Sequence, residues 1–206
     1  MLYIIFMEIT KYYSPNHSKK KRSYKSITAI IVHYTGMQSE GESLKRLINP
    51  RFKVSSHYLI NRRGNIYKMV DDLNIAWHAG KSMWQKFKNL NKNSIGIELV
   101  NKGHKHGYQN FTKKQINALI KICKKLKRKY RIKNNFILGH SDIAPLRKID
   151  PGEKFPWKYL SSKGVGIYPK IVLNGENLKT KREDKKFIKN LYKIGYRYLN
   201  KGPKKE

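Results

Sequence analysis

The run Ile27-Thr28-Ala29-Ile30-Ile31-Val32 is apolar on both faces, and it constrains the fold more than any other stretch. A strand of that kind belongs in the middle of a sheet with layers packed above and below it. Ser94 to Val100 reads as a second strong strand, and Asn135 to Leu138 as a third. Between them Thr112 and Gln115 form a capping box that opens a helix. Ile116, Leu119, Ile120, Cys123, Leu126 and Tyr130 then recur at helical spacing, with lysines on the opposite face. Ser43 to Ile48 is a short helix closed by Asn49-Pro50, and His57–Asn61 with Asn65–Val70 is a hairpin about Arg63-Gly64. Strands and helices in this order predict an α/β domain with one main sheet. The stretch from Asp71 to Asn93 has no sustained period, and a long loop inside a compact domain is usually functional.

The 206 residues suit one domain with a full hydrophobic core. A formal charge of +33 draws the protein toward polyanions. Much of that charge has a plainer source, because Lys, Asn, Ile and Tyr share A/T-rich codons and surface lysines solvate a fold. The single cysteine, Cys123, excludes an internal disulfide and a cysteine-rich zinc site, and its place on the helical stripe predicts a buried, inert thiol. The opening MLYIIFME is too short to span a membrane and lacks the basic start and cleavage site of a signal peptide. A start at Met7 would remove its apolar run, so a cytoplasmic location is the default expectation. Residues 1–24 read as a basic, irregular segment. Residues 25–169 carry the strand and helix pattern and 170–206 read as a basic segment, with Glu183 to Leu199 forming a further amphipathic helix.

Chemistry concentrates in GHSDIAPLRKIDPG, Gly139 to Gly152. It sets His140, Lys148 and Asp150 on a proline-bounded loop after a strand, and His33 ends the first apolar run. Two imidazoles and a carboxylate leave a fourth tetrahedral position open, as in a catalytic zinc site. A lysine two residues before the carboxylate places a cation where an oxyanion develops. Asp142 competes with Asp150 as ligand, although its position also suits turn bonding. Glu98 interrupts an otherwise apolar strand and must face a polar site or a cation, unless it lies on an edge or in a structural ion pair. Trp77 and His78 are candidates to line a substrate groove or to anchor a packed loop. His57 is likewise a candidate for substrate binding, able to orient a ligand or cap the hairpin, and His104 and His106 fit a plain surface loop.

IVHYTG (Ile31–Gly36), SSHYLI (Ser55–Ile60), AWHAG (Ala76–Gly80), NSIGIEL (Asn93–Leu99) and GHSDIAPLRKIDPGEKFPW (Gly139–Trp157) together resemble zinc-dependent N-acetylmuramoyl-L-alanine amidases. This is the type 2 amidase family that also includes peptidoglycan recognition proteins. The likeness covers Ile27 to Pro169. It implies a single mixed β-sheet flanked by helices, with zinc in a surface groove. It also implies cleavage of the amide joining N-acetylmuramic acid to L-alanine in peptidoglycan or muropeptides. By motif, His33, His140 and Asp150 resemble the zinc ligands, Glu98 the general base and Lys148 the group that stabilises the tetrahedral intermediate. FIKNLYKIGY, Phe187 to Tyr196, resembles the first helix of a small peptidoglycan-binding module, and residues 170–206 are expected to be a truncated remnant of one.

A non-catalytic peptidoglycan-recognition module is the alternative. Loss of a ligand or of the base would mark it, and every such residue is present. A nucleic-acid binder has only charge in its favour, with no recognition helix or aromatic RNA-binding motif.

Overall fold

The computed structural model describes residues 9–169 and 181–199. The apolar opening with its alternative start, residues 170–180 and the final basic tail lie outside the described residues. The strands are β1 (Ile9–Lys11), β2 (His17–Ser18), β3 (Ala29–Tyr34), β4 (Tyr58–Ile60), β5 (Ile66–Lys68), β6 (Ile75–Ala76), β7 (Met83–Trp84), β8 (Phe87–Lys88), β9 (Ser94–Leu99) and β10 (Ile137–Gly139). The helices are α1 (Glu40–Ile48), α2 (Lys113–Tyr130), α3 (His140–Ile143), α4 (Trp157–Ser162) and α5 (Lys181–Ile194).

One six-stranded mixed sheet runs β1-β5-β4-β9-β3-β10. Every neighbouring pair in it is parallel except the β4–β5 hairpin. The expected α/β class with a main sheet is therefore borne out. β3 sits between β9 and β10 and is buried on both faces, as its composition requires. Ile30 and Val32 face α2 and α4, where Leu119, Cys123, Leu126 and Leu160 complete the larger core. Ala29 and Ile31 face a smaller cluster with Trp84, Leu90, Leu138 and Ile143. Burial lifts the Cys123 thiol to about 12, which leaves it inert.

The same alternation in β9 has a consequence for the site. Ile95, Ile97 and Leu99 join the larger core. The period of two then places Ser94, Gly96 and Glu98 together on the opposite face. That face carries a stripe of small and polar groups along the centre of the sheet.

The structure corrects three local expectations. The capping box is half formed: Thr112 accepts from the Gln115 backbone N–H, but the Gln115 side chain turns inward. Its Nε2 donates to the carbonyls of Ile60 and Val100, joining α2 to the sheet. Residues 9–24 are also not irregular throughout. β1 extends the sheet along β5, and Ser14, Asn16 and Arg22 are buried. These residues carry little apolar periodicity because they are held by polar bonds. Arg22 donates to the carbonyls of Asp72 (3.0 and 2.7 Å), Asn91 (3.0 Å) and Ser94 (2.7 Å). Burial lowers its guanidinium to about 10, while Asp72 opposes that shift. Arg22 therefore stays charged at neutral pH.

At the other end, α5 stops at Ile194 rather than at Leu199. Tyr196 beyond it packs edge-on against Trp84 and donates to the Asp142 carboxylate. No helix among the described residues is long and apolar enough to cross a membrane.

Candidate metal centre

Three strand ends build the centre. His33 lies in β3 and is paired in register with Glu98 of the adjacent β9. β10 runs parallel on the other side of β3 and delivers His140 from its carboxyl end. Ligand sites in α/β sheets collect at the carboxyl ends of parallel strands, because the strands aim several loops at one crevice. Asp150 returns to the same point through a backbone bond, Ser141 N–H to the Asp150 carbonyl at 2.9 Å. Gly139 permits that return, since a Cβ there would lie 2.7 Å from the Pro151 ring.

His33 Nδ1 lies 2.9 Å from His140 Nδ1 and 3.1 Å from Asp150 Oδ2, and His140 Nδ1 lies 3.2 Å from that oxygen. All three residues are buried, and they form a group able to hold a metal ion. Ligand atoms at zinc bonding distances of about 2.0–2.2 Å in a tetrahedron stand roughly 3.3–3.5 Å apart. The observed spacing is close to that. The donor chemistry agrees. His140 Nε2 faces the Ala79 carbonyl at 3.1 Å, which only accepts, so Nε2 is the donor nitrogen and Nδ1 is the one left to offer a lone pair to the cluster. Lone pairs and a carboxylate converging on one buried point call for a cation.

Electrostatics divides the groups. Burial and the adjacent His140 lower His33 to about 4, so its ring is neutral at physiological pH. Burial disfavours the Asp150 anion, but the adjacent imidazoles of His140 and His33 outweigh it and hold the carboxyl below its usual range. Glu98 behaves oppositely. Burial, with Asp150 adding to it, lifts its carboxyl to about 8, and Lys148 pulls it down. Glu98 Oε2 is buried with no hydrogen-bond partner among the described residues. Its position in the middle of the sheet removes the edge-strand reading. Lys148 is half-buried, and its charge reaches both Glu98 and His33.

Asp142 has other work. Its Oδ2 accepts the Gly139 N–H at 2.7 Å and its Oδ1 the Tyr196 hydroxyl, so neither oxygen joins the cluster.

The expected groove residues separate. His57 is fully buried, its Nδ1 accepting from Gly96 N–H (3.0 Å) and its Nε2–H donating to the Asn74 carbonyl (3.1 Å). A ring so placed cannot touch a ligand, and the expectation of substrate contact is corrected. His78 is likewise buried, with Nδ1 3.0 Å from His33 Nε2 and Nε2 3.3 Å from Ser94 Oγ. It stands behind His33 rather than in a groove. Trp77 alone of the three keeps partial exposure, with Nε1 3.4 Å from Ser18 Oγ. His104 does more than a plain surface loop requires, lying 2.8 Å from the Tyr34 hydroxyl and 2.9 Å from Glu153. Ser94 and Arg22 drew no notice in the sequence. Ser94 was detectable as the first member of the Ser94-Gly96-Glu98 alternation.

Residues 23–153 match the model of the family described as N-acetylmuramoyl-L-alanine amidase. The chain is 38% identical over 159 residues to N-acetylmuramoyl-L-alanine amidase AmiD of Escherichia coli, covering 71% of this chain and 56% of that one. It is 34% identical over 165 residues to 1,6-anhydro-N-acetylmuramyl-L-alanine amidase AmpD of Haemophilus influenzae, covering 71% and 88%. In structure it is similar to E. coli AmiD in complex with the substrate anhydro-N-acetylmuramic acid-L-Ala-D-gamma-Glu-L-Lys. That match has a TM-score of 0.77 at 33% identity and covers 89% of this chain and 77% of that one. AmpDh3 of Pseudomonas aeruginosa in complex with anhydromuramic pentapeptide gives 0.74 at 28% identity, covering 89% and 78%. With most of its sheet and the whole of the His-His-Asp cluster inside the matched residues, the chain belongs to the N-acetylmuramoyl-L-alanine amidase family.

Proposed function

We propose that the protein is a zinc-dependent amidase that cleaves the bond between N-acetylmuramic acid and the L-alanine of the stem peptide in peptidoglycan or muropeptides. One observation carries the reading: His33 Nδ1, His140 Nδ1 and Asp150 Oδ2 converge in a buried cluster within a chain of this family. The cluster fits zinc, with two nitrogen donors and one oxygen donor, a set that leaves the fourth position of a tetrahedron to water. When bound, zinc supplies a Lewis acid that polarises the scissile carbonyl and makes water acidic enough to attack near neutral pH.

The chain's own residues do the rest. Glu98, beside His33, takes a proton from the attacking water and returns one to the departing amine. Burial makes the Glu98 carboxylate a stronger base than an ordinary glutamate, and a cation held by the neighbouring cluster favours the ionised form that accepts the proton. Lys148 balances the charge that develops on the carbonyl oxygen as the carbon becomes tetrahedral. The C–N bond then breaks, leaving a lactyl carboxylate and a peptide with a free N-terminus. Trp77 offers an aromatic edge for the substrate. On this reading residues 25–169 carry the chemistry, braced by Arg22 from the preceding segment.

Purified protein incubated with intact sacculi, and separately with soluble anhydro-muropeptides, tests the reading. Mass spectrometry is expected to find stem peptides beginning with L-alanine. Chelation should abolish their release and added zinc restore it. Release that survives complete metal removal defeats the proposal.

A further inference from the structure

A line of hydrogen-bonding groups runs from His33 back through the protein and ends on a main-chain carbonyl. Ser94 Oγ lies 2.6 Å from the Leu90 carbonyl. A carbonyl only accepts, so the Ser94 hydroxyl proton is committed there. The Ser94 oxygen is then an acceptor toward His78 Nε2, 3.3 Å away, which must carry the ring proton. With Nε2 protonated, the neutral His78 ring presents a bare Nδ1 to His33 Nε2 at 3.0 Å. His33 therefore donates from Nε2, and its Nδ1 is the nitrogen with a free lone pair. That atom is the one inside the His-His-Asp cluster.

Each link is held in place. Asn91 Oδ1 accepts from the backbone N–H groups of His78 (3.0 Å) and Ala79 (2.7 Å). Gly96 leaves the space that the His78 ring fills, since a Cβ there would lie 2.6 Å from Cδ2 and 2.7 Å from Nδ1. His33 and His57 meet the same ring edge-on, at centroid distances of 5.1 and 5.6 Å. The next residue serves the other histidine, because the Ala79 carbonyl fixes the tautomer of His140.

We infer that His78 and Ser94 are positioning residues that set the tautomer and ring orientation of His33, so that the His78-Ala79 dipeptide orients both imidazoles of the metal centre. The inference rests on the zinc reading of that centre. Partners of this kind typically contribute 10–100-fold in metal affinity.

Zinc affinity, measured by competition with a chromophoric chelator, and imidazole tautomers, read by ¹⁵N NMR of the metal-free protein, test it together. His78→Asn keeps an acceptor oxygen near the position of Nδ1, and His78→Leu fills the space without one. Wild-type His33 and His78 should both be Nε2–H tautomers. His78→Leu should weaken zinc binding 10–100-fold and give His33 a mixture of tautomers. His78→Asn should stay within several-fold of wild type, and Ser94→Ala should shift His78 toward its Nδ1–H form. An Nδ1–H tautomer of His33 in the wild type overturns the inference. So do Asn and Leu variants that bind zinc equally well, whatever their folding stability. Failure of the wild type itself to bind zinc would sink the metal reading as well, and shows before any variant is made.

Discussion

Glu98 and His33 are side-by-side partners in the parallel register of β9 and β3, and one carboxylate oxygen of Glu98 is buried without a hydrogen bond among the described residues. A buried carboxylate one strand away from His33 is costly to a fold. The consequence can be measured without substrate. The folded chain keeps the Glu98 proton up to about 8, whereas the unfolded chain releases it near 4.5. Between those values the native state binds more protons, so stability falls as pH rises across that window. Glu98→Gln removes the effect. In metal-free protein it should raise stability by roughly 2–3 kcal/mol at pH 7, and hardly at all at pH 4. Denaturant melts at the two pH values check this, and equal stability at pH 7 would show that Glu98 carries no such burden. The same variant should lose at least about a hundredfold in turnover while retaining zinc.

Lys148→Met should retain zinc and lose about 10²–10³-fold in kcat, the usual size of one lost oxyanion donor. It has a second signature. Lys148 pulls the Glu98 carboxyl down, so its removal should move the acid limb of the pH–rate profile to higher pH. A profile that weakens without moving would separate Lys148 from Glu98.

Gly96→Ala places a methyl group where the His78 ring now lies. His78 must then leave its contact with His33, and zinc affinity should fall by about tenfold or more. Calorimetry of the metal-free variant against zinc gives the answer directly. Unchanged affinity would mean that β9 yields instead of the ring.

Arg22→Met leaves the carbonyls of Asp72, Asn91 and Ser94 without their donor in a buried place. Each such loss costs about 1–3 kcal/mol, so destabilisation of at least about 3 kcal/mol is expected from urea melts. A loss below about 1 kcal/mol would show that water replaces the guanidinium.

What the sequence disclosed and what it hid follow one division. Apolar periodicity marked β3, β9 and α2, and the motifs around His33, His140 and Asp150 pointed to the cluster that forms. The β4–β5 hairpin was signalled by Arg63-Gly64 and its flanking apolar residues. The parts held by polar bonds left no such trace. β1 and Arg22 sit in a stretch whose composition resembles solvent-exposed chain, because its partners are carbonyls far along the sequence. The burial of His78 leaves no trace in the sequence for a related reason. A histidine in a loop suggests surface chemistry, and only the third dimension reveals that Gly96 gives His78 room behind the sheet. Asp142 and Asp150 differ by nothing that periodicity can detect. Their roles divide because Gly139 and Tyr196 claim the first and the two imidazoles claim the second.

The brace formed by Arg22 bears on how such a protein can be trimmed. A shortened version cut just before Ile27, where the recognisable motifs start, would keep His33, Glu98, His140 and Asp150. It would lose Arg22, whose side chain ties the turn at Asp72, the loop at Asn91 and the first residue of β9 into a single unit. Such a fragment should retain the chemistry on paper and release it in solution, its metal pocket loosening from behind.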